Sequence, residues 1–240
     1  MTGPRIEGAE ELVDYIETVR GDAAGIAASL RTHGGAAHIA ACRGWSVRDV
    51  VRHLGDVHRW ATAIVATRNE AEEIESGASS TDDELAEWLI DGAERLVATL
   101  AATDPSAPCW TFGSAPGVTG FWRRRQALET AVHRFDVEDA IGRAAGVPPA
   151  LATTGITEVV DFLYPRQVGL GRTAPLEQGV RLVATDFAGE WSLGRRPAVA
   201  EVSGPAPALL LMLWDRPHGA VHREGALDAL AAFDAAALVP

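Results

Sequence analysis

Glu129 and His133 lie four residues apart inside an otherwise apolar helical segment, residues 128–136. Residues at this spacing share one face of a helix, with Cβ atoms about 5–6 Å apart, so the two side chains can hold one cation together. The apolar flanking residues indicate that this face points into the protein. A buried carboxylate needs a partner or a cation. The spacing therefore favours a fold in which helices bury polar groups against one another.

A second helical segment carries His53 on its apolar stripe, at steps of three and four residues between Val50 and Val57. Two helices that bury these faces against each other would bring two imidazoles and one carboxylate together. Three such ligands with a fourth position open form the donor set of a catalytic zinc ion. A buried hydrogen bond between Glu129 and a histidine would explain the same pattern, so the spacing alone leaves both interpretations open.

Asp136 lies one turn beyond His133 on the same predicted helix face. In one interpretation its carboxylate orients a ligand histidine from behind, as such carboxylates do in metal sites. In the other it forms an ion pair with Arg134 or Arg125 at the rim. The sequence does not distinguish between the two.

The remaining candidate side chains are assigned ordinary roles. His58 follows His53 by five residues, which turns it well away from that face, so we expect it at the surface or rim. The basic run at residues 123–125 would attract an anion at a cleft mouth, but the solvated side of a helix start is the preferred interpretation. Cys42 and Cys109 have no CxxC neighbour and are expected to be half-buried free thiols.

Helical periodicity recurs in four long segments of the first 146 residues. Capping signatures mark two helix starts, at Ser46 and at Thr81, and Thr119 is expected to cap the fourth helix. The predicted helices cover approximately residues 8–30, 47–68, 82–102 and 120–145, with a small strand or hairpin at 108–117. Four amphipathic helices with inward polar side chains predict a metal-binding four-helix bundle over residues 1–146.

The pattern changes after residues 146–149, a Gly-Val-Pro-Pro sequence that forms the predicted domain boundary. Residues 150–240 combine short apolar helices with segments that alternate or run as strands do. Helices are expected at 154–163, 205–214 and 226–233, and strands at 180–185, 191–193, 199–203 and 221–223. The predicted fold class is therefore α + α/β, a helical bundle at 1–146 followed by a smaller mixed α/β domain at 150–240.

The charge balance argues against a nucleic-acid or membrane binder. The 240 residues include 33 acidic and 21 basic side chains, a net charge of −12, whereas phosphate binding needs a basic surface. No apolar run approaches the roughly 20 residues that span a bilayer, and the first residues lack a signal-type apolar core. We expect a cytoplasmic protein without nucleic-acid or membrane partners, either a monomer or a homodimer.

Three segments resemble the mycothiol-dependent maleylpyruvate isomerase family: residues 45–54 (WSVRDVVRHL), 122–125 (WRRR) and 129–136 (ETAVHRFD). Residues 209–216 (LLLMLWDR) are similar to the second domain of that family, so the resemblance covers nearly the whole chain. The ETAVHR segment is its most specific part. The resemblance implies that the N-terminal bundle is of the DinB-like metal-binding type.

The resemblance also implies a set of site residues. Zinc would be held by His53, Glu129 and His133, the same three residues that the spacing selects. Arg216 matches a C-terminal arginine that faces the cleft, where its two-pronged donor geometry would hold a carboxylate of the substrate or of the thiol. An ion pair at the domain interface is the alternative role for this arginine. Leu128 stands where the family commonly has histidine, so the usual contacts to substrate or thiol are expected to differ here.

The function implied by the resemblance is that of a zinc-dependent enzyme that uses mycothiol as a co-substrate. Its partners would be this low-molecular-weight thiol and a small electrophilic substrate that bears a carboxylate. Addition of the thiolate to an electron-poor alkene, rotation and elimination would isomerise the substrate, whereas retention of the adduct would make the enzyme an S-transferase. The alternatives are a zinc hydrolase with Asp136 as base, a non-catalytic metal-binding protein, and a metal-free biosynthetic enzyme on the same scaffold.

Overall fold

The computed structural model describes residues 12–72, 81–113, 117–143, 146–217 and 219–240. They divide into two compact units, Asp14–Gly146 and Val147–Pro240. Among these residues no helix combines the length and the apolar character that crossing a membrane requires.

The first unit is built from four long helices whose starts are set by local side-chain chemistry. Asp14 accepts hydrogen bonds from the first backbone amides of α1, while Ser46 and Thr81 form reciprocal capping boxes at the starts of α2 and α3. Both capping predictions are confirmed. The helices are α1 (Tyr15–His33), α2 (Val47–Thr67), α3 (Asp82–Ala102) and α4 (Thr119–Ala140). The predicted start of α1 near residue 8 lies outside the described residues.

The two ends of α4 differ from the prediction. Thr119 is the first helical residue rather than the cap, since its hydroxyl donates to the Asp104 carbonyl oxygen instead of accepting from α4. The helix ends at Ala140 rather than near residue 145. Gly142 follows with a φ of +72°, a left-handed conformation that typically terminates helices.

The order of packing in the bundle differs from the order along the chain. Helix α2 packs on α3 and α4, and α1 packs on the same two helices, whereas α1 and α2 make little contact. The chain neighbours α1 and α2 are therefore diagonal partners, and α2 is covered on two sides. Between α3 and α4, the short strands β1 (Pro108–Cys109) and β2 (Gly117–Val118) pair antiparallel, which confirms the predicted hairpin.

The second unit combines helices with a mixed sheet. It opens with a helical run made of α5 (Pro149–Glu158), a π-helical turn (Val159–Leu163) and α6 (Tyr164–Gly169), which is longer than the helix predicted at 154–163. The strands are β3 (Gly179–Ala184), β4 (Glu190–Leu193), β5 (Ala198–Gly204) and β6 (His222–Gly225), with α7 (Ala206–Leu213) and α8 (Leu227–Asp234).

The sheet of this unit has the strand order β4-β3-β5-β6. Strands β3 and β5 are parallel, and the two outer pairings are antiparallel. Apolar side chains from β3, β5 and α7 form the buried centre, including Val180, Leu182, Val202, Leu209 and Leu210. The predicted fold class, a helical unit followed by a smaller mixed α/β unit, is confirmed.

Candidate metal centre

Helices α2 and α4 bring three donor atoms to one point. His53 Nε2 lies 3.1 Å from Glu129 Oε1, and His133 Nε2 lies 3.5 Å from the same oxygen. All three side chains offer ligand atoms within 4.8 Å of one another. A tetrahedral zinc ion with bonds of about 2.0–2.1 Å separates neighbouring ligand atoms by about 3.3 Å. The donor set and its spacing therefore fit a zinc ion.

The carboxylate of Glu129 divides its two oxygens between two tasks. Oε1 faces the two histidines, while Oε2 pairs with the guanidinium of Arg125, one turn earlier on α4. Burial opposes ionisation of Glu129, but the positive charge of Arg125 and hydrogen bonds from the histidines outweigh it and hold the pKa well below its ordinary value. Glu129 is thus an anion with one oxygen directed at the site.

The basic run at residues 123–125 is predicted to lie on the solvated side of a helix start, and for Arg125 this prediction is wrong. Only 5% of the residue is exposed. The helical repeat places Arg125 on the same inward face as Glu129, and the paired charge offsets the cost of burying the guanidinium. The site therefore contains the buried guanidinium of Arg125 as well as the carboxylate of Glu129.

The carboxylate of Asp136 supports His133 from behind. His133 Nδ1 lies 2.9 Å from Asp136 Oδ2, and Asp136 is 3% exposed. Burial disfavours the imidazolium, but hydrogen bonds to Asp136 and Glu129 outweigh this and raise the pKa of His133 to about 9. Arg134 pairs with Asp22 and a glutamate instead. Of the two interpretations of Asp136, the geometry favours the orienting one.

Trp45 covers the two imidazoles, a position that the sequence analysis did not identify. Its ring centroid lies 5.1 Å from that of His53 and 6.3 Å from that of His133, onto which it stacks at 22°. The available signal was its place directly before the Ser46 cap, which ties it to the start of the helix that carries His53. A third of the His53 side chain is exposed, so the site remains accessible beside the indole.

The two cysteines are free thiols, and Cys42 lies next to the site. Its Sγ is 3.9 Å from Asp136 Oδ2, and Cys42, His133 and Asp136 form a second group of closely spaced donors. Cys109 is buried, which raises the pKa of its thiol. The half-buried assignment thus fits Cys42, whereas Cys109 is more deeply buried than expected.

His58 is fully buried, so its prediction as a surface or rim residue is wrong. Its Nε2 lies 3.0 Å from the hydroxyl oxygen of Thr130 on α4. Burial lowers the pKa of His58 to about 3, so the imidazole is neutral at physiological pH. The physical reason for the error is that α2 packs on both α3 and α4, which buries a wider face than one apolar stripe predicts.

Two further residues named from the sequence have different settings. Leu128 is 2% exposed and packs in the bundle core. Arg216 lies just beyond α7 in the second unit, where its guanidinium donates to the Trp214 carbonyl oxygen at 2.7 Å and lies over the Trp214 ring. Its role in holding a carboxylate stays a prediction.

Comparisons with known proteins agree with the fold. The family model described as the mycothiol maleylpyruvate isomerase N-terminal domain matches residues 17–138. Crystal structures of the mycothiol-dependent maleylpyruvate isomerase, and of a mutant of it with one histidine replaced by alanine, superpose with a TM-score of 0.68. Each is 14% identical to this chain and covers 91% of it and 96% of its own length, a likeness that shows the fold. No curated protein sequence matches the chain.

Proposed function

The chain belongs to the mycothiol maleylpyruvate isomerase family, and we propose that it is a zinc-dependent enzyme that uses mycothiol to isomerise a small electrophilic substrate bearing a carboxylate. The observation that carries this proposal is the convergence of His53 Nε2, Glu129 Oε1 and His133 Nε2 within 4.8 Å of one another. Two neutral nitrogens and one carboxylate oxygen are the donor set of many catalytic zinc sites.

Each protein group around the site has a separate task in this proposal. His53, Glu129 and His133 hold the ion, and zinc in such a site supplies the charge that keeps a coordinated thiol deprotonated. Asp136 accepts from His133 Nδ1, which fixes the orientation of the ring and leaves Nε2 as the atom that would bind the ion. Arg125 holds the second oxygen of Glu129, which leaves one oxygen for the ion.

The substrate chemistry follows from a thiolate held beside an electron-poor double bond. The sulfur adds to one alkene carbon, the double bond becomes single, and rotation followed by elimination of the same thiol returns the trans isomer. The thiol is regenerated, so the reaction needs no oxidant or reductant. Arg216 is the proposed partner of a carboxylate on the substrate or thiol, because a guanidinium binds carboxylates through two parallel hydrogen bonds.

An S-transferase is the second candidate, since retention of the thiol adduct requires the same first step. A hydrolase is less well supported. Its base would be Asp136, yet that carboxylate is buried and already accepts a hydrogen bond from His133. A non-catalytic metal-binding protein would retain zinc without thiol-dependent turnover, and a metal-free biosynthetic enzyme would retain no zinc.

The test combines metal content with product analysis. Wild-type protein, His53→Ala, Glu129→Gln and the exposed control His222→Ala are purified and their zinc is measured by elemental analysis. We expect about one zinc per chain in the wild type and the control, and a loss in the two ligand variants. Electrophilic cis-alkenes bearing a carboxylate are then incubated with protein and mycothiol, and isomers and adducts are separated by mass spectrometry coupled to chromatography.

The outcomes separate the candidate functions. Mycothiol-dependent trans isomer supports the isomerase, and accumulated adduct supports the S-transferase. Equal zinc content in all four proteins would refute the ligand assignment. Zinc retained without thiol-dependent turnover of any alkene would refute the proposed reaction and favour the metal-binding protein.

A further inference from the structure

His58 and Thr130 form a buried polar link between the two helices that carry the proposed metal ligands. Neither residue is exposed, and His58 Nε2 lies 3.0 Å from Thr130 Oγ1. The Thr130 hydroxyl donates to the Gln126 carbonyl oxygen at 2.7 Å, so its oxygen accepts from His58. The proton of the neutral imidazole is therefore on Nε2, and Nδ1 is a bare acceptor.

This link stabilises the folded protein less than an apolar contact of the same size would. His58 Nδ1 has no hydrogen-bond partner among the described residues, although it is fully buried. An unpaired buried acceptor costs free energy, and an apolar side chain of the same size would avoid that cost. The position of the link offers another reason for its presence.

The link lies beside the candidate metal centre on both helices. Thr130 directly follows Glu129 on α4, and His58 follows His53 by five residues, a rise of about 7.5 Å along α2. The same two helices are thus joined twice, by His53 with Glu129 and by His58 with Thr130. A metal ion would take the first pair as ligands, whereas the second pair contributes no atom to the candidate ligand set.

We propose that His58, through Thr130, is a positioning residue that holds α2 and α4 at the separation and register that let His53 reach Glu129 and His133. The inference rests on the proposed function, since it concerns the same ligand set. Ligands must be held within about 0.5 Å of the productive geometry for a site to bind its metal well. The hydrogen bond supplies that constraint on a helix pair that packs less extensively than α2 does with α3.

The test uses variants that separate positioning from stability. Thr130→Val keeps the shape of the side chain but removes the acceptor, whereas Thr130→Ser keeps the hydroxyl and serves as the matched control. The double variant His58→Leu/Thr130→Val replaces both polar partners by apolar groups, a change that is often neutral or stabilising. Zinc affinity is measured by competition with a chromophoric chelator, the melting temperature on zinc-free protein, and the coordination geometry by the absorption spectrum of the cobalt-loaded protein.

We expect Thr130→Val and the double variant to bind zinc ten- to a hundredfold more weakly, the range seen for groups that support metal ligands. Thr130→Ser should stay within threefold of the wild type. The zinc-free double variant should melt at or above the wild-type temperature while its cobalt spectrum changes, which a purely structural role would not produce.

Two results would overturn the inference. A double variant with wild-type zinc affinity and an unchanged cobalt spectrum shows that the link does not position the ligands, and leaves the proposed function intact. Wild-type protein that binds no zinc overturns the proposed function, and this inference with it.

Discussion

Helices α3 and α4 are nearly equal in length, 21 and 22 residues, yet they bury different chemistry. The buried residues of α3 are all apolar: Leu85, Ala86, Leu89, Gly92, Ala93, Leu96, Val97 and Leu100. About half of those of α4 are polar or charged: Thr119, Arg125, Gln126, Thr130, His133, Asp136 and Glu138. Both helices pack on α1 and on α2, so the difference does not come from exposure.

The two helices therefore have different roles in the bundle. Apolar burial on α3 stabilises the bundle at about 25 cal/mol per Å² of surface removed from water. Burial of charge on α4 costs free energy unless every group is paired, and here the pairs Arg125–Glu129 and His133–Asp136 offset that cost. Polar groups in this arrangement fit the proposed metal site, because apolar replacements would stabilise the bundle more simply.

The largest expected effect on stability is on the apolar helix. Leu96 is fully buried on α3, so Leu96→Ala should lower the free energy of unfolding by about 2–5 kcal/mol. Zinc affinity of the folded protein should change less than twofold, because Leu96 lies on α3, which carries none of the proposed ligands. Urea unfolding of zinc-free protein and a zinc titration measure the two quantities. Weaker zinc binding without a loss of stability would contradict the division of tasks.

A smaller change in the free energy of unfolding is expected from a change of pH, which acts through His133 on α4. The pKa of His133 is raised from 6.5 to about 9, so folded protein binds this proton more tightly than unfolded protein does. The associated stabilisation, about 3 kcal/mol, is fully present below pH 6.5 and is lost as the pH rises through 9. Zinc-free wild type should therefore be less stable at pH 9.5 than at pH 6.

Asp136→Asn is the matched control for this pH dependence. The hydrogen bond to Asp136 is the largest of the contributions that raise the pKa of His133, so the pH-dependent loss should be clearly smaller in the variant. Other titrations are common to both proteins and cancel in the difference. Equal pH profiles from urea unfolding would show that Asp136 does not hold the His133 proton.

The smallest change in the free energy of unfolding is expected from a substitution on the exposed side of α3. Arg95 pairs with Asp91 at 3.0 Å, and its side chain is 68% exposed. Solvent screens such a pair, so Arg95→Ala should lower the free energy of unfolding by at most about 0.5 kcal/mol. Thermal unfolding measures the change, and a loss above 1 kcal/mol would mean that polar pairs on α3 also support the bundle.

Sequence patterns predicted the features that depend on one helix at a time. The caps at Ser46 and Thr81 and the shared face of Glu129 and His133 follow from local spacing, and His53 follows from its apolar stripe. The match to the family model confirms the resemblance that the ETAVHR segment indicated. These patterns are local in the sequence, so they can be recognised without knowing how the helices pack.

The features that the sequence missed depend on how helices pack. His58 is buried because α2 has neighbours on two sides, and Arg125 is buried because Glu129 pairs with it. Trp45 precedes its helix, and only the folded chain places its ring over His53 and His133. Periodicity along one helix cannot give the number of neighbouring helices or the side chains that they contribute.

The most direct test of the central claim is zinc K-edge X-ray absorption of the protein before and after addition of mycothiol. If His53, Glu129 and His133 hold the ion, only nitrogen and oxygen neighbours at about 2.0–2.2 Å are expected at first, and one sulfur at about 2.3 Å after the thiol is added. A sulfur neighbour before addition would place Cys42 on the ion, and no sulfur after addition would contradict thiol binding at this site.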